Sequence, residues 1–236
     1  MTEPLVLLPG MLCDARVFLP QFVALSREMP VTIAPTTEGD RIEEIASALV
    51  STLPAKFALA GQGLGGYVAM ELLRRAPERI TRVALIGCTP LSDTPQEAAA
   101  REPKIVAAKA ERFDDIIREE LAHGWLANGP GQKDVQAKIT AMAKSNGVQA
   151  YMRQARMLQR RKDQQAIMRR IKQPALVICG ELDGVTTLKR HEFMAELIPY
   201  AKLEVVPDAA HVPTLEQPQV MTDIFRAWMK QPLVLR

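Results

Sequence analysis

The sequence predicts an α/β protein: a mostly parallel sheet of about six strands, helices on both faces, and a helical insertion. Three observations carry this. Short apolar runs alternate with helical patterns from Leu5 to Gly87, and again from Ala175 to Met229. Those runs are near-continuous in apolar residues, as strands covered on both faces are. From about Leu91 to Lys172 the sequence reads as helices only. A length of 236 residues suits one domain, or one domain with an insertion.

The elements follow in order. Leu5–Leu8 reads as a strand ending at Pro9-Gly10, and Val17–Arg27 as a helix with Pro20 near its first turn. Val31–Ala34 is the second strand. Arg41–Thr52 is an amphipathic helix with Ile42, Ile45 and Leu49 on one face. Lys56–Ala60 is a short buried strand that runs into Gly61-Gln62-Gly63-Leu64-Gly65-Gly66, and a helix through Tyr67, Met70, Leu72 and Leu73 follows. The next strand is Ile80–Gly87. The insertion then divides into helices at Pro103–Phe113, Asp114–Trp125, Lys133–Ser145, Val148–Arg161 and Gln164–Ile171, punctuated at Asn128–Gly131 and at Gly147. Alternation resumes with strand Ala175–Cys179, helix Leu188–Leu197, strand Leu203–Val206 and an amphipathic helix at Val220–Met229. The core is therefore assigned to residues 1–90 and 173–236, and a helical cap to residues 91–172.

Composition narrows the function classes. A charged fraction of 24% and a hydrophobic fraction of 47% are those of a globular protein. The net charge of +3, with no basic run carrying interleaved aromatics, argues against nucleic acid. No apolar run reaches the roughly 18 residues of a membrane span. The start at Met1-Thr2-Glu3-Pro4 lacks the pattern of a signal peptide, and three cysteines predict a reducing, cytoplasmic setting. Cys13, Cys88 and Cys179 have no metal-like spacing, and neither do His123, His191 and His211, so neither metal nor cofactor is expected. The three cysteines read as buried spectators, and His123 and His191 as surface or cap residues. Nothing in the sequence sets the oligomeric state.

Strand, glycine-dense turn and helix around Gly63 form the context of a nucleophile elbow, G-x-S-x-G, with glycine at the serine position. Gly61, Gly63 and Gly66 also satisfy G-x-G-x-x-G, the fingerprint of a dinucleotide loop. That fingerprint requires an acid at the end of the next strand to hold the ribose. The first carboxylate there is Asp93, beyond Pro90. Serine hydrolysis needs an imidazole base and a carboxylate that orients it. Asp183, in Gly180-Glu181-Leu182-Asp183-Gly184, and His211, in Pro207–Pro213, lie just after strands and follow position 63 in the order acid, then histidine. Carboxyl-end loops of one parallel sheet would bring all three together. Asp183 could instead be a turn residue, His211 a buried loop histidine, and Asp93 is an alternative acid.

These segments, with Leu7-Leu8-Pro9-Gly10-Met11 and Ala210-His211-Val212-Pro213-Thr214-Leu215-Glu216-Gln217-Pro218, span nearly the whole chain in family order. The chain resembles α/β-hydrolase fold proteins of the small capped esterase, lactonase and haloperoxidase-like kind. The resemblance implies a small-molecule ester or lactone substrate cleaved through an acyl-enzyme, with backbone N–H groups of Met11 and Leu64 as the oxyanion hole. Amide or carbon–carbon bond hydrolysis would use the same motifs. Two departures stand out: Pro9-Gly10 replaces His-Gly, and Gly63 replaces the serine. Glycine keeps the turn but removes the attacking oxygen, so the chain is expected to be inactive or severely impaired. The intact surroundings favour a serine-to-glycine change made to hold an ester uncleaved over a natural loss leaving a ligand-binding protein. In the cap, Arg153, Arg156 and Arg160 share one helix face and could grip an anion, although a solvated face explains them as well. Trp125, Met142, Met152, Met157 and Leu158 are candidates for an adaptable apolar lining.

Overall fold

The computed structural model describes residues 3–122 and 124–233. Among them β1 (Leu5–Leu8), β2 (Val31–Ile33), β3 (Phe57–Gln62), β4 (Ile80–Ile86), β5 (Ala175–Gly180) and β6 (Ala201–Val206) form one sheet. Every pair is parallel, in the order β2-β1-β3-β4-β5-β6. The apolar runs of β1, β3 and β5 are buried at every position, and β4 at all but one. The two outer strands are partly exposed, which is where a charged pair such as Lys202–Glu204 is tolerated. From β1 the chain adds β2 on one side and then crosses to β3 on the other. That reversal opens a crevice at the carboxyl ends of β1 and β3.

Ten helices accompany these strands among the described residues: α1 (Leu19–Leu25), α2 (Ile42–Thr52), α3 (Leu64–Arg75), α4 (Pro95–Lys109), α5 (Phe113–Ala122), α6 (Gln132–Arg160), α7 (Gln165–Met168), α8 (Leu188–Leu197), α9 (Pro213–Glu216) and α10 (Pro218–Met229). α3 packs on β1, β3 and β4 with α2 beside it, and α8 packs on β5 and β6, whereas α1, α9 and α10 form a separate group. α4, α5 and α6 pack on one another between β4 and β5 around Ile105, Ile116, Ile117, Ile139 and Met142.

The elements differ from the sequence reading at their ends. The segment read as a helix from Val17 divides into a 3-10 turn, Ala15–Phe18, and α1. β3 and β6 are each two residues longer at one end than their apolar runs suggest. The first cap helix begins at Pro95 rather than Pro103. Thr94 Oγ1 accepts from Glu97 N at 3.2 Å, and the Glu97 carboxylate accepts from Thr94 N at 2.8 Å. This capping box fixes the start, and Pro103 sits inside the helix at the loss of one backbone hydrogen bond. Gly147, at φ 81°, breaks α6 into two segments where the sequence placed two helices. α7, counted in the insertion from sequence, packs beside α3 and α8.

Candidate active site

Gly63 occupies the turn between β3 and α3 with φ 52° and ψ −116°, a backbone region that residues with a Cβ rarely adopt. Its neighbours are glycines for a second reason, which is close approach. A Cβ on Gly61 would lie 2.2 Å from the Gly65 carbonyl oxygen, and one on Gly65 2.1 Å from that of Leu8. One on Gly66 would meet Cys88 Sγ at 2.5 Å. The fingerprint spacing Gly61, Gly63, Gly66 is thus accounted for by packing the helix onto the sheet, with no ligand needed. Position 63 itself is different. A Cβ there would stand 3.6 Å from His211 Nε2 and 3.7 Å from Gly10 Cα, which is ordinary contact. The backbone is strained for a side chain, yet the space for one is present.

His211 and Asp183 come together as the order of motifs predicts. His211 Nδ1 lies 3.0 Å from Asp183 Oδ2 and 3.2 Å from Oδ1, and the carboxylate also accepts from Val185 N and Thr186 N, each at 2.8 Å. Burial opposes charging of His211, but the Asp183 charge and hydrogen bond outweigh it and raise its pKa. The same pair lowers the pKa of Asp183 against its own burial. Asp93, the alternative acid, is bound elsewhere, by Arg101 at 2.8 Å and by Arg161 at 2.5 Å.

The histidine loop is braced by residues that the motifs did not single out. Glu216 accepts from Ala210 N and Val212 N, on either side of His211, at 3.0 Å each, and from Ala127 N at 2.7 Å. Gln62 accepts from Thr214 Oγ1 at 2.8 Å, tying the elbow to the same loop. The Trp125 carbonyl accepts from His211 N at 3.1 Å, and the two rings meet edge-on at 5.0 Å. His191, expected at the surface, is fully buried on α8, where burial lowers its pKa. His123 lies outside the described residues. The cysteines are buried, and burial pushes the Cys13 and Cys179 thiols up to about 12, so they do not substitute for a serine.

The backbone N–H groups of Met11 and Leu64 have no hydrogen-bond partner among the described residues, as oxyanion donors require. Leu64 is the first residue of α3, where an unpaired N–H is intrinsic. Met11 is followed by Leu12 at φ 63°. Leu12 N donates to Oε1 of the buried Gln154 on α6 at 3.2 Å, and Asn146 Nδ2 donates to the Cys13 carbonyl at 3.1 Å. Two α6 side chains therefore hold the loop that carries Met11.

Gly63, Met11, Leu64 and His211 line one cavity of about 120 Å³, together with Trp125, Leu158 and Tyr67. Of the cap residues considered from sequence as a substrate grip, Trp125 reaches this cavity. Met152, Arg153 and Arg156 are not in its lining. Met152 is buried, and Arg153 reaches outward to the exposed Glu38 at 3.0 Å. The arginines that do line the cavity are Arg101, Arg161 and Arg190. Sequence spacing missed Arg101 and Arg190 because each stands on a different helix. Arg161 stands just past α6, one residue beyond the face that was considered.

A sequence model of the alpha/beta hydrolase family matches residues 5–224. The pimeloyl-[acyl-carrier protein] methyl ester esterase of Aromatoleum aromaticum is 30% identical over 192 residues, 77% of each chain. The Nitrosomonas europaea protein of that name is 24% identical over 198 residues, 80% of this chain and 77% of its own. Among solved structures, a thermophilic esterase from Thermogutta terrifontis superposes with a TM-score of 0.87 at 24% identity, covering 98% of this chain and 90% of that one. The enol-lactonase of Burkholderia xenovorans LB400 gives 0.87 at 22% identity, covering 98% and 92%. At these identities the two structures speak to the fold.

Proposed function

The chain belongs to the alpha/beta hydrolase family, and from that premise we propose that it is a serine-type carboxylic ester hydrolase with glycine at the nucleophile position. Its substrate is a small ester or lactone. The observation that carries the reading is the place held open at Gly63, where a Cβ would lie 3.6 Å from His211 Nε2. The relatives named as methyl ester esterases support the bond type.

With serine at this position, Oγ would attack the substrate carbonyl while His211 Nε2 took its proton. Asp183 would hold the imidazolium, and Met11 N and Leu64 N would donate to the developing oxyanion. His211 would return the proton to the leaving alcohol, then activate water to free the acid. With glycine no acyl-enzyme forms. The remaining base and oxyanion donors hold an ester and direct water at it weakly.

Gly63→Ser should raise hydrolysis of a short p-nitrophenyl ester by a factor of about 10³ or more over the unmodified chain. A folded Gly63→Ser protein that turns over no short ester or lactone would overturn the reading.

A further inference from the structure

One helical turn along α3 from Gly63, about 6 Å of rise, Tyr67 lines the same cavity beneath a guanidinium. Arg161 stacks on its ring at 4.6 Å from the centroid, donates from Nε to the Leu91 carbonyl at 3.1 Å, and pairs through Nη1 with Asp93. Arg101 donates from Nε to the other oxygen of Asp93 at 2.8 Å. One carboxylate thus serves two arginines. Both Nη groups of Arg101 and Nη2 of Arg161 have no partner among the described residues.

The other charges of the lining are matched. Arg190 pairs with Glu97 at 2.7 Å, and Glu120 takes Lys104 at 3.1 Å and the Tyr151 hydroxyl at 3.1 Å. Lys104 lies farther, at 3.7 Å, from the half-exposed Glu119. The unfilled donors of Arg101 and Arg161 belong to a cavity whose remaining walls include Leu64, Leu158, Trp125 and Val185. A buried guanidinium with unfilled donors is a site for a planar anion. The Tyr67 hydroxyl, also without a partner among the described residues, adds a neutral donor, since burial raises its pKa.

We propose that the substrate is the monoester of a short dicarboxylic acid, its free carboxylate held by Arg101 and Arg161 while the ester carbonyl faces Gly63. This deepens the ester-hydrolase reading and rests on it. Tyr67 stands one helical turn from Gly63, a span that a short acid chain bridges.

The unmodified chain supplies the test, because it holds esters without forming an acyl-enzyme. Its affinity is measured by calorimetry for monomethyl succinate and for methyl levulinate, a neutral ester in which an acetyl group replaces the carboxylate. Monomethyl succinate should bind at least about tenfold more tightly. Arg101→Gln leaves Asp93 its Arg161 partner and should bring the two esters to similar affinity. Arg101→Lys should retain part of the preference, keeping the charge but losing the planar fork. Equal binding of the two esters, or a preference that survives Arg101→Gln in a variant with native circular dichroism and melting, overturns the proposal. Turnover by Gly63→Ser separates the readings. If it cleaves methyl levulinate as fast as monomethyl succinate, the hydrolase reading stands and the carboxylate site falls. If neither ester binds or is cleaved, both fall.

Discussion

The histidine loop and the elbow face each other across the cavity, and they are built differently. His211 is oriented by Asp183, flanked by two N–H groups bound to Glu216, and touched by Trp125 from the cap side. The elbow is held mainly by close packing at Gly61, Gly65 and Gly66 and by the Gln62–Thr214 hydrogen bond, and its central residue brings no side chain. The first region holds a buried, oriented imidazole with its support, which the proposed function uses as general base. The second is a complete support with no nucleophile. On the proposed function the chain lacks one functional group rather than a site, so restoring that group should make every other part matter.

The largest consequence concerns the base. In a Gly63→Ser background, His211→Ala should lower kcat for a short ester by about 10⁴-fold, read by steady-state kinetics. A small loss would mean that the His211 loop is only scaffold. Next comes the support. Glu216→Ala strands three backbone donors, and should lower stability by about 3 kcal/mol, measured by urea unfolding. An unchanged midpoint would show that water replaces the carboxylate easily.

Smaller in energy is the strain at the elbow. A side chain at φ 52° should cost roughly 1–3 kcal/mol, so Gly63→Ser should melt below the unmodified chain while gaining activity. The smallest effect is on the pH profile. His211 must be neutral to accept a proton, and its pKa is raised. Activity of Gly63→Ser should therefore rise with pH through a midpoint above about 6.5. A midpoint below that value would mean that burial outweighs Asp183.

The sheet and the pairing of His211 with Asp183 beside Gly63 were legible in the sequence because each part is local. Apolar runs mark the buried strands, and Gly63, Asp183 and His211 each follow such a strand within a few residues. The oxyanion positions came from family order, and the unpaired N–H groups of Met11 and Leu64 fit them. The cavity wall was not legible. Arg101, Arg161 and Arg190 come from α4, the segment after α6, and α8, so their meeting depends on how the cap sits on the sheet. Helical spacing pointed instead to Arg153 and Arg156, which share a face outside the lining. His191 was misread for a related reason: a lone histidine among charged residues on α8 gives no sign that the sheet covers it.

Covalent labelling reads whether a nucleophile alone is missing between His211 and the proposed oxyanion donors. Gly63→Ser and the unmodified chain are each treated with a serine-directed phosphonate and weighed intact by mass spectrometry. One adduct is expected on Gly63→Ser, mapped to position 63, and none on the unmodified chain. An adduct on the unmodified chain, or none on a folded Gly63→Ser protein, would contradict the proposed function.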